Sequence, residues 1–198
     1  MKPALLAALV IAPFSSHAGQ AQPPVATAPA SPTLGGPAIA GVCLLSRPAV
    51  FATARVGVAA TARLQQLTEQ AKAEVEAERK PIEADAKAFE AEQARLSPEQ
   101  RQSRAQALEQ RLRAVQQKAA LRSREIEATR EKAMTRIVST MQPLVQQVYQ
   151  ARGCGLLVDR GSVLGGNMTN DLTPAVIQGL DARMATISFD REALAAAQ

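Results

Sequence analysis

Residues 75–115 read VEAERKPIEADAKAFEAEQARLSPEQRQSRAQALEQRLRAV, and within them Leu96-Ser97-Pro98-Glu99-Gln100 decides how the chain folds. Before this break Val75, Ile82, Phe89 and Leu96 recur every seven residues, and after it Leu108, Leu112 and Val115 resume an apolar stripe. Ser97 is a good N-cap, Pro98 suits the first position of a helix, and Gln100 completes a Ser-x-x-Gln capping box. The proline also keeps Ser97 out of the α region. One helix therefore ends near Arg95 and another begins at Pro98. So short a connection favours antiparallel neighbours, and a first arm of about forty residues extends on the order of 55–60 Å. The same residues also permit one continuous helix kinked at Pro98. Pro81, with no cap or loop residues around it, is expected to kink the outgoing arm.

The helical character spreads far to either side. No glycine occurs between Gly57 and Gly153, and Ala, Glu, Gln, Arg and Lys dominate, all strong helix formers. Leu64, Leu67 and Ala71 precede the heptads at three-and-four spacing, and Ala119, Ile126, Ala133, Ile137, Met141, Leu144 and Val148 continue the stripe on the second helix. This is a coiled-coil pattern with a narrow, alanine-rich seam. Its small side chains bury little area, at roughly 25 cal/mol per Å², so the arms should flex. Ile137 to Tyr149 is the most apolar stretch of the second helix, which points to a compact base, and Arg152-Gly153 ends the helix on a glycine.

Short apolar runs flank the hairpin. Ile39 to Leu45 lies between Gly36-Pro37 and Ser46-Arg47-Pro48 and reads as a buried strand. Gly155 to Asp159 reads as a second strand and Ser162-Val163-Leu164 as a weak third. Asp171-Leu172-Thr173-Pro174 opens a helix, with Thr173 as its cap. The expected organisation is strand 39–45, hairpin 56–152, strands 155–165, helix 174–182 and a tail over 183–198.

The first eighteen residues read as a secretory signal: Lys2, an apolar core from Ala4 to Phe14, and small residues before Gly19. Residues 19–38 hold five prolines and no charge, a composition too poor in apolar surface to offset its ordering entropy, and read as a disordered tether. Loss of Lys2 with the signal takes the formal charge from +5 to +4, and loss of His17 leaves no histidine. The commonest general base and metal ligand is then missing, there is no Gly-x-x-x-x-Gly-Lys-Ser/Thr phosphate loop, and neither an enzyme nor a cofactor is expected. Trp is absent and Tyr occurs once, so a large aromatic core is excluded.

Taken in order, the apolar strand, the hairpin, Gly153-Cys154-Gly155-Leu156-Leu157-Val158-Asp159-Arg160 and Asp171 to Pro174 resemble the Skp/OmpH family of periplasmic chaperones. The resemblance spans about Ile39 to Ala182. It implies a mainly α fold in which a long antiparallel hairpin projects from a small, short-stranded β body. It also implies a homotrimer whose arms surround a cavity holding unfolded outer-membrane proteins without ATP. The tether, the tail and the cysteine pair lie outside the family pattern. A structural coiled-coil spacer of the cell envelope is the alternative function.

Three sets of residues are candidates for these roles. Val42, Leu44, Leu156 and Val158 are too few for an independent core and should meet other subunits in a trimer. Arg95, Arg101, Arg104, Arg111, Arg113 and Lys118 form a basic run opposite an outgoing arm with eight acids and four bases between Glu69 and Glu92. That run would attract acidic clients, anionic lipid or lipopolysaccharide, or else pair with the acidic arm as a solvated face. Nucleic acid fits poorly with an exported chain. Cys43 and Cys154 are either two free thiols or, in an oxidising compartment, a disulfide brought together by the returning hairpin.

Overall fold

The computed structural model describes residues 34–195. The expected signal and most of the expected tether lie outside that range. Residues 34–40 are exposed coil, and the first element, β1, is Val42–Leu45. It begins three residues later than the apolar run because Gly41 turns the chain at φ +73°. The Gly41 carbonyl accepts from the amides of both Gly155 and Leu156, at 2.7 and 2.9 Å.

A helix unforeseen in the sequence follows directly: α1, Arg47–Thr53. Ser46 caps it, its hydroxyl accepting from the Ala49 amide at 3.2 Å, and Pro48 sits in its first turn. Ala54, in extended conformation, ends α1 and starts α2, Arg55–Glu92. The reversal is tight. A β-carbon on Gly57 would lie 2.8 Å from the Phe51 carbonyl carbon, so the position requires glycine.

α2 passes through Pro81 as one helix and closes in a 3₁₀ turn, Gln93–Arg95. α3, Pro98–Ala151, starts with both halves of the capping box made: the Ser97 hydroxyl accepts from the Gln100 amide, and the Gln100 side chain accepts from the Ser97 amide at 3.0 Å. Four cross-helix ion pairs fix how α2 and α3 lie. Arg104 meets Glu92 at 2.9 Å, Arg111 meets Asp85 at 2.6 Å, Lys118 meets Glu78, and Arg122 meets Glu74 at 2.7 Å. Going up α3 by seven, seven and four residues goes down α2 by the same steps, so the helices run antiparallel in one register.

The seam between them is unevenly filled. Leu64, Leu67 and Ala71 are buried near the base, but farther out, over residues 72–115, the only buried apolar side chains are Ile82 and, at the same level, Val115. The core lies below, where Cys43, Leu45, Val50, Val56 and Ala60 pack against Ile137, Met141 and Leu144. β2, Leu156–Asp159, pairs with β1 in parallel, with Val42 opposite Leu156 and Leu44 opposite Val158. The expected third strand at Ser162 to Leu164 does not form. Asp159 instead caps a 3₁₀ turn over Arg160–Ser162, its carboxylate accepting from the Gly161 amide at 2.8 Å. The free edge of β1 is taken by residues 170–172: the Leu44 amide donates to Asn170, and the Leu172 amide to Leu44.

α4, Thr173–Arg183, closes the base with Val176 and Leu180 in the core. Thr173 is not its cap. The N-cap position falls on Leu172, the Asp171 carboxylate one residue earlier accepts from the Thr173 amide at 2.9 Å, and the Thr173 hydroxyl is left to accept from the Ser46 amide at 2.9 Å. One threonine thus ties the start of α4 to the start of α1.

Candidate functional site

Parallel pairing sorts the body residues by face. Val42, Leu44, Leu156 and Val158 are paired across the two strands and share one face of the sheet. Cys43 and Leu45 occupy the other face and belong to the core. The four named residues are unevenly covered within one chain: Leu44 is buried, Val42 and Val158 are half-buried, and Leu156 is 55% exposed. Nearby on α3, Val138 is 39% exposed and lines, with Leu45, Met141, Val145 and Leu157, an apolar hollow of about 440 Å³.

Cys43 and Cys154 are bonded to each other, Cα to Cα 5.8 Å, across 111 residues. Cys154 lies outside β2, which starts at Leu156, and Cys43 lies opposite Leu157. Cys154 instead sits on the exit from α3, its amide donating to Tyr149 at 3.1 Å. The bridge therefore joins β1 to the end of the returning helix.

The basic run starts beside the turn and extends well down α3. At 1.5 Å per residue Lys118 lies roughly 30 Å down α3 from the turn. Arg104, Arg111 and Lys118 face acids of α2, and Arg113 pairs with Glu109 of its own helix. The physical reason is legible in the spacing, because Glu78, Asp85 and Glu92 repeat with the same heptad as Arg104, Arg111 and Lys118, in opposite order. Arg95 and Arg101, exposed beside the turn, make no ion pair among the described residues.

A charged centre that sequence reasoning missed lies between arm and base. Glu125, only 4% exposed, is paired with Arg122 at 2.7 Å and with Arg191 at 3.1 Å. Arg191 and Arg122 also hold Glu74 at 3.0 and 2.7 Å. The Arg191 hydrogen bond, opposed by burial and reinforced by Arg122, keeps the Glu74 carboxyl below its ordinary range, and the Arg122 guanidinium is raised by Glu74 and Glu125. Arg191 belongs to the expected tail, which here lies against the hairpin. In the body, burial works against the Asp171 charge, but hydrogen bonds from Thr173 and Arg160 prevail and lower its pKa.

Among the described residues no three His, Cys, Asp or Glu side chains converge to hold a metal. No described helix is long and apolar enough to cross a membrane. The architecture is that of a small body carrying a thin two-helix arm. The family model for outer membrane protein (OmpH-like) matches residues 41–180, from β1 into α4. The chain belongs to the OmpH-like family. A crystal structure of a candidate outer membrane chaperone (OmpH-like) from Caulobacter crescentus is similar at 40% identity and a TM-score of 0.73, covering 80% of this chain and 94% of that one. No curated protein matches the chain. The OmpH-like match ends at residue 180, so the segment bearing Arg191 lies beyond it.

Proposed function

We propose that this OmpH-like protein is a periplasmic, ATP-independent holdase that keeps unfolded outer-membrane proteins from aggregating before their assembly. The observation that carries the reading is a long arm with only Ile82 and Val115 as buried apolar residues along its outer half, standing on a body whose apolar sheet face is left partly open. Such an arm bends at little cost and offers many weak contacts, which suits clients of different size. The open face, with Leu156 at its edge, is where two further copies would join to make a homotrimer, so that three arms surround a shared space. Binding of anionic lipid or lipopolysaccharide would fall to Arg95 and Arg101, since the other four bases of the run are engaged by acids. Neither catalysis nor a cofactor enters this reading.

The test is dilution of a urea-denatured β-barrel protein into buffer with and without the mature chain, followed by turbidity. A holdase suppresses the aggregate at stoichiometric amounts, and a coiled-coil spacer of the envelope leaves it unchanged. Light scattering gives the assembly: a trimer is expected for the parent and a monomer for Leu156→Asp. A stable folded monomer of the parent at micromolar concentration would overturn the trimer.

A further inference from the structure

The segment after α4 does not trail into solvent. Between Thr186 and Arg191 it has no regular secondary structure, but Ile187, Phe189 and Arg191 are half-buried and Thr186, Ser188 and Asp190 exposed, in strict alternation. This is the period-two pattern of a strand, yet the segment is paired with no strand. Side chains of the two arm helices hold it. The Arg63 guanidinium of α2 donates to the Phe189 carbonyl at 3.0 Å, and that of Arg136 on α3 donates to the Ser188 carbonyl at 3.4 Å. The Glu192 amide donates to the Thr129 hydroxyl at 2.9 Å, and the Leu194 amide reaches the Glu125 carboxylate at 3.5 Å. Ile187 and Phe189 pack against the apolar core below.

Four of these contacts are made to main-chain groups, which every residue other than proline offers alike. A groove that grips carbonyls with arginines and amides with a threonine and a carboxylate does not depend on the sequence it holds. What it requires is an extended chain with apolar side chains at alternate positions. That is the pattern of an unfolded β-barrel strand.

We infer that this face of the hairpin base is a binding site for extended polypeptide of alternating apolar pattern, and that residues 186–194 occupy it as an internal stand-in. The inference rests on the holdase reading for the identity of the natural ligand. The strap is tethered, so it competes at the millimolar effective concentration typical of a short linker. A single free peptide is therefore held off, while a client that engages several arms at once displaces it. The fixed points of strap and ligand differ. Arg191 and Glu192 add ion pairs to Glu74, Glu125 and Lys132 that anchor the strap in one register, whereas the main-chain contacts are common to both.

The experiment uses the mature protein, a form ending at Ala185, and a Phe189→Ser form that keeps the full strap and its ion pairs. The probe is a fluorescein-labelled octapeptide alternating Phe or Val with Ser or Thr, with an isomer in which the apolar residues are grouped as control. Anisotropy should show the alternating peptide bound at least tenfold more tightly by the truncated form than by the parent, with Phe189→Ser between them. The grouped isomer should bind more weakly, and Arg63→Ala in the truncated form should weaken the alternating peptide severalfold. Circular dichroism of each variant establishes that the hairpin is intact. Equal affinity for parent and the two strap variants, or equal affinity for both peptides, would overturn the inference. Aggregation suppression read in parallel separates the two ideas: suppression without strap-dependent peptide binding sinks the groove alone, and strap-dependent binding without suppression sinks the holdase alone.

Discussion

Ile82→Ala should loosen the arm and leave the base untouched. Ile82 is 3% exposed and, with Val115 across the seam, is one of the two apolar side chains buried at that level, while its heptad neighbours Val75 and Phe89 are only half-buried. The substitution removes three carbons at about 0.8 kcal/mol each, or about 2.4 kcal/mol in transfer terms. A rigid core would add a cavity penalty, but two helices free to close on each other limit it, so about 2–3 kcal/mol is expected. The pair Arg111–Asp85 one turn away provides the contrast. Its side chains are 46% and 55% exposed, and Arg111→Ala should cost under about 1 kcal/mol. Amide hydrogen exchange resolves the effect by region, because local opening is read separately from global unfolding. Amides of residues 75–90 and 105–122 in Ile82→Ala should exchange about 30- to 150-fold faster, from 1.4 kcal/mol per factor of ten. Amides of residues 137–150 should keep their parental rates. Arm exchange within threefold of the parent, or an equal acceleration in the base, would refute the claim that Ile82 helps hold the outer arm.

Three more outcomes follow from particular contacts. Gly57→Ala ought to gain about 1 kcal/mol from helix propensity alone, but the new carbon meets the Phe51 carbonyl, so a fall in Tm is expected, and a rise would show that α1 can move away. Glu74 has a folded pKa below its ordinary 4.5, so its contribution is fully present above that value and is lost as pH falls through the lowered one; the strap contacts of Arg191 should loosen in that acid window, read by exchange at residues 187–194, and Arg191→Gln should flatten the dependence. Thiol labelling of denatured, unreduced protein should find no free thiol, and reduction should cost about 4–5 kcal/mol of stability for a loop of this length in the chain-entropy model, measured by urea denaturation with and without reductant.

Helix ends were legible where a side chain announced them. Ser97, Pro98 and Gln100 are local chemistry, and the capping box forms as their spacing requires. Ser46 and Pro48 carry a similar signal, but α1 is only seven residues long and its composition blends into the strand before it. Thr173 shows the limit of local reasoning: its hydroxyl had two competing uses, and the partner that decided between them, Ser46, is 127 residues away. The basic run was visible as charge but not as pairing, because that depends on the register of two helices. Matching the heptads of Arg104, Arg111 and Lys118 against Glu78, Asp85 and Glu92 in reverse order would have revealed it. The strap was overlooked because two apolar residues separated by a serine make no hydrophobic run, and its grip lies in arm residues such as Arg63 and Thr129.

The rungs of opposite charge that climb the hairpin at heptad intervals also make its reach adjustable in units. Removing seven residues from each helix at one level leaves every remaining rung opposite its partner and shortens the arm by about 10 Å. Adding seven to each extends it by the same amount. A change in one helix alone puts the rungs on one side of it out of step with their partners. Arm length can therefore drift in matched heptads while the body beneath stays unchanged, so that one small base could carry arms fitted to cargoes of quite different bulk.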